Sequence, residues 1–203
     1  IRRSNDYRLK TTLQNLGIPT DTSHLEDDKE ILEKYISEYL ERYEVLILSG
    51  GVSAGKFDFL PEIFSKLGVK KYFHKIRQRP GKPFWFGVYQ DKCHVFAFPG
   101  NPVSSFVCLN RYFLPWLDKS IGYSSGQQPK AILKEDVHFK PDLTYFLEVK
   151  LEYDNDGRIW ADPQMGNGSG DFTNLVNADA FIELPRGKDL YQKGEVYPIF
   201  YYR

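Results

Sequence analysis

The chain has 203 residues, 27 basic and 27 acidic, so its formal net charge is zero, and attachment to nucleic acid or anionic lipid by bulk charge alone is excluded. Its hydrophobic fraction of 41% is ordinary for a globular protein, and no apolar run approaches the ~20 residues of a membrane-spanning helix. That length supplies core for one large domain or two small ones, and 14 Tyr and 15 Phe favour packed sheets over disorder.

The N-terminal Ile1-Arg2-Arg3-Ser4-Asn5 has no apolar stretch of the kind a secretory signal needs, and the single Met is Met165, so the chain reads as a fragment or processed form. Leu9, Leu13 and Leu16 form a helical stripe over 5–16, ended by Gly17 and Pro19. A stronger amphipathic pattern predicts a helix over 29–43 after an Asp27-Asp28 cap. Residues 45–49 read as a buried strand, 60–67 as a short helix closed by Gly68, and 84–88 and 94–98 as paired strands around a turn. A long helix follows from 102 towards 121. Helices interleaved with short apolar strands predict an α/β layered domain with a mostly parallel sheet.

At 122–129 (GYSSGQQP) the composition changes, and downstream the helical period gives way to short strands at 145–151, 158–161, 181–184 and 196–201. This predicts a boundary between an α/β domain over 1–122 and a small all-β, barrel-like domain over 123–203. Cys93 and Cys108 fall on a strand and the next helix without a CxxC partner, which predicts a reducing, cytoplasmic setting. His24, His74, His94 and His138 lack metal-ligand spacing and read as structural or exposed, and Trp85 and Trp116 read as core.

Three loops carry the chemistry. The first is Ser49-Gly50-Gly51-Val52-Ser53-Ala54-Gly55-Lys56-Phe57-Asp58, between a strand and a helix. Gly50-x-x-x-x-Gly55-Lys56 imitates a phosphate-binding P-loop, but Phe57 stands where the Mg²⁺-binding hydroxyl belongs, so a P-loop nucleotidase is rejected. The glycines still let backbone N–H groups approach an anion, with Ser53 and Asp58 adding a hydroxyl and a carboxylate. The second is Arg79-Pro80-Gly81-Lys82-Pro83, a stiff turn that mounts Lys82 beside Lys75, Arg77 and Arg79. The third is Pro99-Gly100-Asn101-Pro102-Val103-Ser104-Ser105, in which Asn101 caps a helix whose first N–H groups at 103–105 are predicted to point outward. Alone, the first loop is equally well a ligand-free turn, the second reads first as a solvated basic turn, and the third is also simply a capped helix. Together, at the carboxyl ends of strands in an α/β sheet, they describe a polyanion site. Beside phosphate, Asp58 would be repelled unless it holds a metal or aims a water.

In this order and spacing, SGGVSAGKFD, PGKP and PGNPVSS resemble the molybdopterin molybdotransferases, the bacterial molybdenum-insertion enzymes and the matching domain of gephyrin-type proteins. Arg3-Ser4-Asn5 resembles that family's DSN motif, and Gly166-Asn167-Gly168-Ser169-Gly170-Asp171 resembles its GxQxSGxL stretch. Asn177-Ala178-Asp179-Ala180-Phe181-Ile182-Glu183-Leu184-Pro185 and Gly194-Glu195-Val196 resemble its last strands. The resemblance implies a molybdopterin-binding α/β domain and a C-terminal β-barrel, with further N-terminal domains upstream. It implies insertion of molybdate into adenylylated molybdopterin with release of AMP, assisted by a divalent metal such as Mg²⁺, in a homodimer without nucleic-acid or membrane partners. Asp58 and Lys82 would be catalytic, Asp58 as metal ligand. Substrate would be bound by Gly50, Gly51, Ser53, Gly55, Arg79, Gly81, Pro99, Gly100, Asn101, Pro102, Ser104, Ser105 and Ser169. Because the implied cleft is shared with N-terminal domains of a second subunit, the isolated chain would fold without inserting molybdenum.

The chain departs from the family at Lys56, where relatives carry an acid, at Arg3, Arg79 and Asn167, and at 142–148, which lack the arginines of an R-x-x-F-x-R stretch. These substitutions sustain one alternative, a non-catalytic pterin-binding scaffold; a second, a molybdopterin adenylyltransferase, is raised because that enzyme shares the α/β domain. The attached β unit argues against the second, since the stand-alone adenylyltransferase lacks it.

Overall fold

Asp28 fixes the start of α2 (Lys29–Arg42). Its Oδ1 accepts from the backbone N–H groups of Glu30 (3.0 Å) and Ile31 (2.9 Å), two donors that a helix start otherwise leaves unpaired. This computed structural model describes residues 4–52, 59–123, 126–165 and 172–202. The chain divides into two compact units, Ile1–Ile76 with Gly81–Phe106, and Arg77–Pro80 with Val107–Arg203.

The first unit contains α1 (Ser4–Asn15), α2, β1 (Val45–Ser49), α3 (Leu60–Lys66), β2 (Lys70–His74), β4 (Trp85–Tyr89) and β5 (Cys93–Phe98). Its sheet runs β1-β5-β4-β2. The expected mostly parallel sheet is mixed: β1 pairs β5 in parallel, whereas β5–β4 and β4–β2 are antiparallel. The cause is connection length. β4 returns to β5 through a tight turn in which Gln90 and Asp91 take φ of 48° and 54°, and parallel neighbours need a crossover of a dozen residues or more.

Strand alternation separates two packed faces. Cys93, Val95 and Ala97 of β5, with Trp85 of β4, meet Ile36 and Leu40 of α2 and Ile63 and Phe64 of α3. On the other face Phe84, Phe86, Phe96 and Phe98 form an aromatic row, Phe86 and Phe96 having centroids 4.8 Å apart. Trp85 is core, as expected, while Trp116 is only half-buried.

α4 (Pro102–Cys108) begins in the first unit and enters the second. The single helix expected from 102 widens into a π-turn over Leu109–Phe113 before α5 (Leu114–Ser120). Pro115 explains the widening: it has no N–H to donate, and in an α register its ring would meet the Arg111 carbonyl. Cys93 and Cys108 lie on strand and helix as expected, both buried and unbridged, and burial pushes the Cys93 thiol up to about 12.

The second unit is mostly sheet. β6 (Lys130–Leu133), β8 (Thr144–Tyr153), β9 (Ile159–Pro163), β10 (Ala180–Leu184) and β12 (Val196–Tyr201) close into a five-strand barrel in the order β10-β12-β6-β9-β8 and back to β10. Leu133, Leu147, Val149, Ile182 and Ile199 fill its interior. β3 (Gln78–Arg79) joins β8 in parallel, β7 (Val137–His138) and β11 (Leu190–Tyr191) form a separate ribbon, and α6 (Phe172–Asn177) is a short helix in a stretch read as strands and turns.

At the start of β12 the Glu195 carboxylate accepts from Lys188 Nζ (2.7 and 2.8 Å), Tyr197 Oη (2.5 Å) and the Gln192 N–H (2.8 Å). The Lys188 hydrogen bond is the leading cause that lowers its pKa to about 2. A depressed carboxylate pKa stabilises the fold above the unfolded value and ceases to do so as pH falls from the ordinary 4.5 through about 2. Glu195→Gln is therefore expected to lower stability at pH 7 and to flatten the acid limb across that window. Urea midpoints measured from pH 7 to pH 2 check this, and parallel curves for both proteins would contradict it.

Candidate functional site

The parallel pairing of β1 with β5 sets Ser49 opposite Phe98, so the glycine loop and the Pro99–Asn101 loop leave the sheet side by side at the strands' carboxyl ends. The Gly50 N–H donates to the Phe98 carbonyl (2.9 Å), and a Cβ on Gly100 would sit 3.6 Å from the Gly50 Cα. Gly50 and Gly51 take φ of 101° and 71°, in the left-handed region, and a Cβ on Gly51 would press on Leu60 at 2.9 Å. His74 Nε2 lies 3.0 Å from the Val52 carbonyl. A carbonyl only accepts, so this nitrogen carries the proton, and the structural role expected of His74 is a bond to Val52 in the first half of the loop. Asn5 at the head of α1 donates through Nδ2 to Ser49 Oγ (2.7 Å) and to the Gly100 carbonyl (3.1 Å).

Asn101 is the expected cap, and its capping alters the expected anion contacts. Its Oδ1 accepts from the Ser104 N–H (3.0 Å) and its carbonyl from the Ser105 N–H (2.9 Å), so these two donors are engaged within the helix and do not point outward free. Ser104 and Ser105 are themselves buried. Of the remaining loop, Pro99 is buried, Gly100 exposed, and Asn101 and Pro102 half-buried.

The Arg79–Pro83 turn is held by other bonds. Arg79–Pro80 is a cis peptide and Gly81 has φ 95°. Tyr112 Oη donates to Oε1 of the buried Gln78, whose Nε2 donates to the Pro80 carbonyl (3.0 Å). Burial pushes the Tyr112 hydroxyl well above its ordinary pKa, so it stays a donor. The Arg79 guanidinium lies 5.9 Å over Phe139, which stacks on Tyr145 at 4.2 Å. Lys82 is exposed, its carbonyl accepting from the Ile76 N–H (2.8 Å), and its ammonium forms no ion pair with a described residue. Asp142 lies within ion-pair reach of Arg77 (3.6 Å) and Arg186 (3.8 Å).

The structure thus brings Gly50 against Gly100, and places Arg79, Gly81 and Lys82 on one stiff turn. Ser53, Gly55, Lys56, Asp58, Asn167, Ser169 and Arg3 lie outside the described residues. Among the described residues no cluster of three or more His, Cys, Asp or Glu side chains could hold a metal, and no helix is long and apolar enough to cross a membrane. Sequence reasoning missed Gln78 and Tyr112, and placed Asn5 in a helix start and a DSN-like motif without its partners. The Asn5–Gly100 and Tyr112–Gln78 bonds join residues 95 and 34 apart in the chain.

A family model described as a probable molybdopterin binding domain matches residues 1–119, and one described as the MoeA C-terminal region (domain IV) matches residues 130–199. The chain is 45% identical over 202 residues to a molybdopterin molybdenumtransferase of Synechocystis sp., covering 98% of this chain and 49% of that protein. It is 31% identical over 172 residues to the molybdopterin molybdenumtransferase of Bacillus subtilis, covering 83% and 39%. A crystal structure of a molybdopterin biosynthesis protein from Pyrococcus horikoshii superposes with a TM-score of 0.78 at 29% identity, covering 98% of this chain and 48% of that one. The chain spans about half the length of the curated relatives it matches. One match takes in more than half of its residues and the second follows it in order, and on these grounds the chain belongs to the molybdopterin molybdotransferase family.

Proposed function

We propose that this chain is the pterin-binding half of an enzyme of molybdenum cofactor biosynthesis. The whole protein inserts molybdate into adenylylated molybdopterin and releases AMP in a divalent-metal-dependent step, as a cytoplasmic homodimer. The observation that carries this reading is the pairing of two Gly/Pro loops at the carboxyl ends of adjacent parallel strands, β1 and β5, where α/β sheets receive ligands. Gly50, Gly51 and Gly100 leave backbone accessible to a phosphate, and Arg79 and Lys82 supply cations from a turn that cannot swing freely. The proposed boundary between the α/β and β domains lies at 122–129; the family matches to 1–119 and 130–199 support it, although the compact units divide at Phe106 and Val107.

Mg²⁺ fits the chemistry of the donor set. It prefers one or two carboxylates completed by substrate phosphates, and Asp58 is the carboxylate that the glycine loop offers. When bound, the metal would supply charge neutralisation at the phosphates. Ser53, Gly55 and Ser169 complete the proposed substrate contacts, with Asn101 and Pro102 shaping the second loop and Ser104 and Ser105 packing beneath it.

The full-length protein purified from its host is expected to carry a pterin in a native mass spectrum and to release AMP from adenylylated molybdopterin when molybdate is added. Pterin without AMP release would identify a scaffold, and neither would overturn the reading. Lys82→Ala is expected to weaken binding of the phosphorylated pterin about tenfold or more, because a charge-assisted hydrogen bond is worth about 1.5–3 kcal/mol. Exposed Lys82 has little packing to lose, so the melting temperature stays near wild type. Calorimetric titration checks this, and unchanged affinity would remove Lys82 from the site.

A further inference from the structure

Asn5 bonds the roots of both loops at once, and its chemistry is specific. A primary amide nitrogen carries two N–H donors, and here one reaches Ser49 Oγ (2.7 Å) and the other the Gly100 carbonyl (3.1 Å). Aspartate would set a second oxygen against the Gly100 carbonyl. Serine has a single donor on a shorter stem, and alanine has none. The backbone ties the loops once, at their base, through the Gly50 N–H and the Phe98 carbonyl (2.9 Å). The 99–101 segment is held at its base by that tie and at its far end by the Asn101 cap of α4, and the Asn5 bond to Gly100 fixes the residue between them to the root of the glycine loop.

Asn5 is itself well mounted. It lies in the first turn of α1, and one turn on, the Arg8 guanidinium carbon sits 3.8 Å over the Phe106 ring, so the helix that carries the amide is anchored to the same unit. The acceptors lie 44 and 95 residues away in sequence. We infer that Asn5 is a positioning residue that clamps Ser49, at the root of the glycine loop, to Gly100 and thereby sets the spacing of the two loop roots where the pterin phosphate binds. The assignment of the occupant rests on the function proposed above; the clamp itself rests on the geometry.

The test uses the full-length protein with Asn5→Ala, Asn5→Asp and Ser49→Ala. In both Asn5 variants KM for adenylylated molybdopterin is expected to rise about tenfold with a smaller fall in kcat, since a displaced binding loop misplaces the substrate. Ser49→Ala keeps the Gly100 bond and should fall between them and wild type. Without ligand, the Gly50 amide should exchange with deuterium faster in Asn5→Ala, while the melting temperature moves by no more than about 2 °C. Wild-type KM and wild-type Gly50 exchange in Asn5→Ala would overturn the clamp. So would a lowered melting temperature with unchanged KM, the mark of a purely structural residue. If wild-type protein fails to bind the pterin nucleotide, the functional reading falls, and the exchange rates still decide whether the clamp exists.

Discussion

Asp58→Asn in the full-length protein is expected to leave adenylylated molybdopterin bound while AMP release falls by about 100-fold or more, the low end of what a carboxylate engaged in proton transfer contributes. A bare carboxylate at the end of a glycine-rich anion loop is electrostatically misplaced unless it serves a cation or a water. Asn retains the size and much of the hydrogen bonding but not the charge, so the loop should survive and the phosphates should meet less repulsion. Lys56, two residues earlier, offers Asp58 a competing partner. AMP release measured against metal concentration separates the roles: coinciding curves for wild type and variant would make Asp58 a structural partner of Lys56 with no part in the chemistry.

The largest expected loss of stability comes from one methyl group, in Gly87→Ala. A Cβ there would lie 2.4 Å from Trp85 Cη2 and 2.8 Å from the Lys70 carbonyl oxygen. Neither neighbour yields easily. Lys70 O belongs to the backbone of β2, paired with β4, and the Trp85 ring is buried against Phe64 at a centroid distance of 4.4 Å. Overpacking of this kind costs about 3 kcal/mol, which for a protein of this size lowers the melting temperature by roughly 6–12 °C. A thermal melt followed by circular dichroism measures it. A shift under about 2 °C would show that β2 and β4 separate far more readily than their packing implies.

Elements with a strong period or a clear stop were legible in the chain. The bounds of β1 and β12 fell where the apolar runs put them, and α2 began at its Asp28 cap. β2 was invisible because Lys70-Lys71-Tyr72-Phe73-His74 is an exposed edge without alternation, and β3 because two residues carry no period. The mixed sheet followed from the short turn after Tyr89, a cue outweighed by the alternation of helices and strands. The three loops could be read because glycine and proline spacing is local. What holds them could not: Asn5 with Gly100, His74 with Val52, and Tyr112 with Gln78 are pairings across 95, 22 and 34 residues. A single sequence contains no record of such pairs.

Among the described residues, closing five strands into a barrel leaves those strands no outer edge beyond the short β3, whereas the four-stranded sheet ends at β1 and β2. The two ends are unlike. β2 presents exposed Lys70 and Lys71 and a register shift between Lys71 and Phe73, the charges and irregularity that discourage an added strand. β1 presents Val-Leu-Ile-Leu, only half-buried and without a charged side chain over 45–48. Among the described strands, self-association of the isolated chain by strand addition is thus expected at β1. A lysine placed along β1 should do more for its solubility than the same charge anywhere on the barrel.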